Sequence, residues 1–267
     1  MIVKKRLNTA LILGLSIISF QHLILKLSDL NLVKIDNHWQ FMHKNFLNNF
    51  FDNILFFHAN PPLLSFISYI SSSSYLGLDK YQFLGSLLVI MHLLSFLIFY
   101  QILVKIKFKY GGIASIFIFS NPLMLMYFSY PFSSTYIFFL ILLFILNLYS
   151  DKTKGTKFIY ATLILSIISM FRASYHIVII LGLLIPLIKG VEKKYIIIAS
   201  LIFFIPLSWY IKNSIMFGKF SASTWIGMNL AVHINTLKTE NKYYHQQPEK
   251  ILYLNQEDQK NLSSKSF

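Results

Sequence analysis

The chain has 267 residues, 55% hydrophobic and 17% aromatic but only 13% charged, with a mean hydropathy of +0.59. Soluble domains carry about 25% charged residues, whereas here the apolar residues fall in long runs without a polar face, many near the roughly 20 residues that cross a bilayer, so a soluble fold is excluded. Cysteine is absent, which excludes disulfides and thiolate metal sites, and the net charge of +14 is placed in a way that excludes nucleic acid as a partner.

The basic residues sit in short clusters between apolar runs: Lys4 to Arg6, Lys105 to Lys109, Lys152 to Lys157 and Lys189 to Lys194, opposed only by Asp151 and Glu192. Short loops of that composition belong in the cytoplasm. With the clusters fixed inside, the first apolar run predicts an uncleaved span over about 8–25 that leads outward. It lacks a small-x-small cleavage site, and Phe20, Gln21 and His22 follow it directly. Residues 26–81 then form an outside loop carrying Asp29, Asp36, Asp52 and Asp79. Within it, residues 61–76 are apolar but short, and Ser71 to Ser74 interrupt them; Pro61-Pro62 suits the start of an interfacial helix.

A second span, about 82–104, returns to Lys105. A third, about 112–129, turns at Tyr130-Pro131 into a fourth, about 133–150. The stretch 157–189 is basic at both ends, yet as one helix it would be about 50 Å long. It is therefore predicted to be a hairpin with its break at Phe171-Arg172-Ala173-Ser174. A last span, about 195–211, leads out to Lys212, and after about residue 232 the chain turns polar. The expected fold is an all-α polytopic transmembrane bundle of about seven spans plus the interfacial helix. Residues 1–213 form the membrane module, and 214–267 an outside tail that begins a further C-terminal region.

None of the expected spans contains an acidic residue, which argues against an ion-coupled pathway built on intramembrane carboxylates. The polar residues gather on one side instead: Asp36, His38, Trp39 and His43, then His58, Asn60, Pro61 and Pro62, then Arg172, His176, Lys212 and Asn213. Such clustering fits a site at the membrane–water boundary for a lipid-borne headgroup. His38 and His43 lie five apart, a poor match to helical metal pairing at i, i+4, and no metal or cofactor is expected. Trp39, Trp209 and Trp225 suit an interfacial aromatic belt.

A first outside loop with Asp36-x-His38-Trp39-Gln40, followed by His58-x-x-Pro61-Pro62-Leu63, resembles the polyprenyl-phosphate-sugar-dependent glycosyltransferases of the GT-C fold, relatives of protein O-mannosyltransferases and aminoarabinose transferases. The resemblance continues at Met170-Phe171-Arg172. It is strongest over Pro206 to Phe220, which holds Trp209, Lys212, Asn213 and Gly218, with Trp225, Gly227 and Asn229 behind it. It covers roughly residues 1–235. It implies transfer of a hexose or pentose from a polyprenyl-phosphate donor to a glycan, lipid or protein acceptor at the outer face of the plasma (inner) membrane. By this resemblance Asp36 is the catalytic acid of the first loop, acting as general base or orienting the acceptor. His38, His58, Arg172, Lys212 and Asn213 are the expected substrate-binding residues, with Arg172 and Lys212 stabilising the departing phosphate.

Each residue has a plainer alternative. Asp36 also reads as a solvated loop acid or helix cap, Arg172 as a cation snorkelling to the headgroups, Lys212 as a basic span end, and His58 as a helix-start residue. Two departures from the family pattern stand out. The loop Tyr127 to Ser133 carries no second acid, and relatives continue through further spans and an outside domain. A transporter or flippase for a lipid-linked or small polar substrate, and an inactive membrane fragment, are the competing readings. The topology is testable in this cysteine-free chain: a single cysteine at position 108 should resist impermeant maleimide in intact cells, and one in the 26–81 loop should react.

Overall fold

The computed structural model describes residues 2–27, 50–55, 57, 60–72, 80–218 and 220–223. Its regular elements are all helical: α1 (Ile2–Leu27), α2 (Phe50–Asn53), α3 (Leu63–Ser72), α4 (Lys80–Lys105), α5 (Gly111–Phe119), α6 (Pro122–Tyr127), α7 (Ser133–Leu148), α8 (Lys154–Phe171), α9 (Ile177–Leu184) with a 3-10 turn at Ile185–Leu187, and α10 (Lys193–Phe217). Among the described residues four helical stretches are long and apolar enough to cross a membrane: Thr9–Lys26, Lys80–Lys105, Lys154–Phe171 and Lys193–Phe217.

These helices are apolar on every side. Ile18, Phe96, Phe119, Phe128, Ile168 and Ile180 pack inside, while Phe117 (75% exposed), Leu201 (69%) and Ile215 (77%) point outward with many others. A soluble monomer rarely exposes contiguous apolar patches beyond a few hundred Å²; helices hydrophobic all round suit a lipid surround. Several buried hydroxyls bond back to their own helix. Ser115 Oγ donates to Gly111 O (2.7 Å) and Thr162 Oγ1 to Phe158 O (2.9 Å), which leaves small residues at helix contacts where backbones approach closely.

Where the sequence predicts one span over 112–129, the chain forms two short helices. Asn121-Pro122 is the cause. Proline lacks the N–H that would extend α5 and disfavours a helical conformation in the residue before it. Asn121 is extended (φ −67°, ψ 134°), its Oδ1 accepts from Leu123 N at 2.9 Å, and Pro122 takes the first helical position of α6. α7 has 16 residues, about 24 Å of helix. The 157–189 stretch is a helical hairpin, α8 and α9, broken at residues 172–176. α3, with 10 residues, is only about 15 Å long and buries Ser65, Ser68 and Ser71 as it packs against α4 and α8.

The break after α5 frees backbone carbonyls inside an apolar bundle, and neighbouring helices supply their partners. Gln21 Nε2 of α1 donates to Ser120 O at 2.7 Å. His92 of α4, fully buried, lies 3.0 Å from Phe119 O through Nε2 and 2.9 Å from His22 Nε2 through Nδ1. Because Nε2 must donate to the carbonyl, a neutral His92 has Nδ1 as its acceptor, and His22 Nε2–H is the donor to it. Phe128 stacks flat on the His92 ring (4.4 Å, 4°).

The basic loops meet at one end of the bundle. Lys105 Nζ pairs with Asp151 Oδ2 at 2.9 Å, and this hydrogen bond holds the Asp151 carboxyl below its usual range. A Cβ on Gly190, whose φ is +77°, would lie 3.4 Å from Lys154 Nζ; one on Gly112 would lie 2.7 Å from the Ala10 Cβ. At the same end Gly155 faces the Tyr195 ring too closely to admit a side chain.

Replacing His92 tests the broken-helix arrangement. His92→Leu strands a carbonyl and the His22 N–H in an apolar interior and should lower unfolding free energy by about 1–3 kcal/mol, read by thermal unfolding in detergent. His92→Gln, which both donates and accepts, should recover most of that loss.

Candidate functional site

Opposite the basic end, sequence-distant polar residues converge where α8 and α10 finish. α8 ends because Arg172 is extended (φ −152°, ψ 131°), although its N–H still reaches Ile168 O at 3.4 Å. Its carbonyl accepts from Tyr175 N at 3.1 Å, making a tight turn, and His176 then caps α9 by accepting from Val178 N through Nδ1 (3.3 Å). The buried Tyr210 of α10 accepts from Ile177 N through its hydroxyl (3.2 Å). The first N–H groups of α9 are therefore already bonded within the protein, so this helix start is not an anion site.

The wall formed by α10 is built by its own reversal. Gly218 adopts a left-handed conformation (φ +67°) that ends the helix, and the returning chain is pinned by two side chains. Trp209 Nε1 donates to Ala222 O (2.9 Å) and Asn213 Nδ2 to Ser221 O (2.7 Å). Asn213 is fully buried, and its Oδ1 has no partner among the described residues. Lys212 Nζ donates to Phe57 O at 2.6 Å while lying 3.6 Å from the Trp209 ring centroid and 5.4 Å from that of Phe217. It thereby ties the first loop to α10 across 155 positions of sequence.

Two packing clusters join these pieces. Phe50, Phe57 and Trp209 pack with Met170, and Ala173 and Ile177 pack with Tyr210 and Ala222. Residues flanking Arg172 thus pack on residues flanking Lys212. Arg172 is exposed and makes no ion pair among the described residues, and the nearby Tyr127, bonded to Ser134, lies within its electrostatic reach. An exposed guanidinium with no acidic partner among the described residues offers the planar fork that matches a phosphate in two-pronged fashion. Lys212 retains donors beyond the one given to Phe57, over an indole face that supports the cation.

Of the residues expected from sequence, Arg172, Lys212 and Asn213 come together at this end. Asp36, His38 and His58 lie outside the described residues; His58 follows directly on Phe57, the residue that Lys212 grips. Lys212 and Asn213 both also hold the local architecture. Among the described residues no group of three or more potential ligands converges as a metal site. His22, His92 and Gln21 carry polar roles that no acidic residue in the spans announces. The signal was present as a histidine in the middle of the apolar run 82–104 and an Asn-Pro step inside 112–129.

Compared with protein-family models, curated proteins and solved structures, the chain matches none.

The Lys212 contact yields a test that needs no substrate. Lys212→Met keeps the stem but loses the donor, and should raise the labelling rate of a cysteine at Ile54 several-fold with the helical content unchanged. Lys212→Arg, which can still donate to the Phe57 carbonyl, should leave it close to the parent.

Proposed function

We propose that the chain is a membrane glycosyltransferase that moves a sugar from a polyprenyl-phosphate donor to an acceptor at the outer face of the plasma membrane. On this reading the chain makes seven passes with its N-terminus in the cytoplasm; the short α5–α6 pair, α7 and α9 complete the four longer spans. The observation that carries the proposal is the convergence of three motifs far apart in sequence, around Phe57, Arg172 and Lys212, at the end of the bundle opposite the lysine-rich loops. Those are the motifs on which the resemblance to GT-C glycosyltransferases rests.

The chemistry assigns each residue a task. Asp36 takes the proton from the acceptor hydroxyl as its oxygen bonds to the anomeric carbon. The bond from that carbon to the phosphate oxygen breaks, and polyprenyl phosphate leaves with the electron pair. Arg172 stabilises the charge developing on the phosphate, and Lys212 adds a second cation while holding the first loop against α10. His38, His58 and Asn213 bind substrate around them; the unpartnered Asn213 Oδ1 is an acceptor suited to a hydroxyl.

One observation favours a second reading, a transporter of a lipid-linked or small polar substrate. A broken helix and a histidine pair of which His92 is buried in the bundle interior are features that transporters use at substrate or ion sites. Purified protein supplied with a polyprenyl-phosphate sugar and candidate acceptors separates the two, since only an enzyme releases free polyprenyl phosphate.

In an active preparation, Asp36→Asn should lower turnover by about 10²–10⁴-fold, the usual worth of a general base, with donor binding little changed and Asp52→Asn near neutral. Arg172→Ala should weaken donor binding by roughly 1.5–3 kcal/mol, and Arg172→Lys should restore only part of it because the two-pronged geometry is gone. Full turnover in Asp36→Asn would remove Asp36 as the catalytic base, and failure to release polyprenyl phosphate under any condition would remove the enzyme reading.

A further inference from the structure

The lysine-rich end has a construction that membrane orientation alone does not require. Three loops far apart in sequence, 105–110, 149–157 and 188–195, are drawn together by the Lys105–Asp151 pair, by Lys154 against Gly190 and by Gly155 against Tyr195. They hold nine lysines against two acids. Both acids are already occupied, Asp151 by Lys105 and Glu192 by Lys194 (2.9 Å). The remaining seven lysines have no acidic partner among the described residues.

Two of these seven, Lys152 and Lys109, and the paired Lys194 also lie over tyrosine rings. Lys152 Nζ lies 3.6 Å from the Tyr160 ring centroid, Lys194 Nζ 4.9 Å from Tyr195 and Lys109 Nζ 5.4 Å from Tyr110. Tyr110 is 57% exposed, and Ile106, Phe108 and Ile188 on the same loops are exposed as well. Tyrosines mark the headgroup level of a bilayer, where one side of the ring is apolar and the other wet. Cations perched on such rings, with apolar side chains beside them, fit a layer in which phosphate lies just above acyl chain. A nucleic acid would make no use of the exposed Ile106, Phe108 and Ile188, and a bilayer edge uses them together with the ring-perched cations.

We propose that this end of the bundle is a binding surface for anionic phospholipid headgroups, with the three loops acting as one composite site. Phosphodiester oxygens would sit between the ammonium groups on the tyrosine rings, and the acyl chains would run down the exposed apolar faces of α5 and α10. The inference stands apart from the glycosyltransferase reading, because it uses the opposite end of the molecule.

The test is native mass spectrometry of the full chain, released from detergent and titrated with phosphatidylglycerol or phosphatidylcholine of matched acyl chains. The parent should retain phosphatidylglycerol preferentially, and the preference should shrink as salt rises. Each lysine near an anionic surface contributes enough for about a fivefold change in affinity. The triple variant Lys107→Gln, Lys109→Gln, Lys152→Gln should therefore lose about a hundredfold for phosphatidylglycerol and little for phosphatidylcholine. Lys26→Gln with Lys80→Gln, away from this end, should leave the preference intact. Equal retention of both lipids by the parent would overturn the proposal, as would an equal loss per lysine in the control. Displacement of phosphatidylglycerol by a polyglutamate peptide at matched charge concentration would overturn it in favour of an acidic protein partner. Should the triple variant aggregate, Lys107→Gln and Lys109→Gln singly decide by the same fivefold criterion.

Discussion

A membrane interior has no water to satisfy backbone groups, so every break in a helix there must find partners within the protein. Asn121-Pro122 makes such a break, and the packing of the first half of the chain answers it. Gln21 and His92 reach from two different helices to the carbonyls of Ser120 and Phe119, and His22 holds His92 in the tautomer that can donate. α1, α4 and α5 are therefore joined by directional bonds at one level of the bundle, as well as by side-chain packing. The flat stack of Phe128 on His92 extends that junction to the segment after α6. Apolar packing alone constrains rotation of one smooth helix against another only loosely; polar groups that must meet fix it.

From that junction the molecule divides into two chemically distinct ends. At one, short loops carry lysines whose few acidic neighbours are spoken for. At the other, His176 and Arg172 of the turn at 172–176 lie near Trp209 and Asn213 of α10, at the ends of α8 and α10. Connection length separates the ends only in part, since the turn at 172–176 is as short as the lysine-rich connections. A connection of five or six residues between packed helices has room for exposed lysines but not for a folded-back segment, whereas the reversal after Gly218 and the approach of Phe57 to α10 need longer chain.

Hydropathy and charge made much of this legible. The apolar runs at 8–25, 82–104 and 195–211 correspond to α1, α4 and α10, and the argument from basic ends located the hairpin break at Arg172. What averaging over a window cannot register is a single Asn-Pro step, because isoleucine, phenylalanine and methionine on both sides keep the mean high. For the same reason the run at 133–150 looks as long as its neighbours although only 16 of its residues are helical. The Lys212–Phe57 bond was beyond reach for a different reason. Its acceptor is a backbone carbonyl, which any residue provides, so nothing in the side-chain pattern marks position 57.

The candidate site residues differ in how strongly the structure ties them to other duties. Asn213 and Trp209 pin the turn that follows Gly218, and Lys212 fastens the first loop; any of the three can be required by the architecture whatever the protein binds. A shared motif of this kind therefore carries less functional weight than its length implies, since a common turn demands the same residues as a common substrate. Arg172 stands apart. Its backbone ends α8 and shapes the turn to α9, work that many residues can do, while its guanidinium is exposed and pairs with no acid among the described residues. Among the described residues, the Arg172 guanidinium and the buried Asn213 Oδ1 are the groups at this end that local folding does not account for.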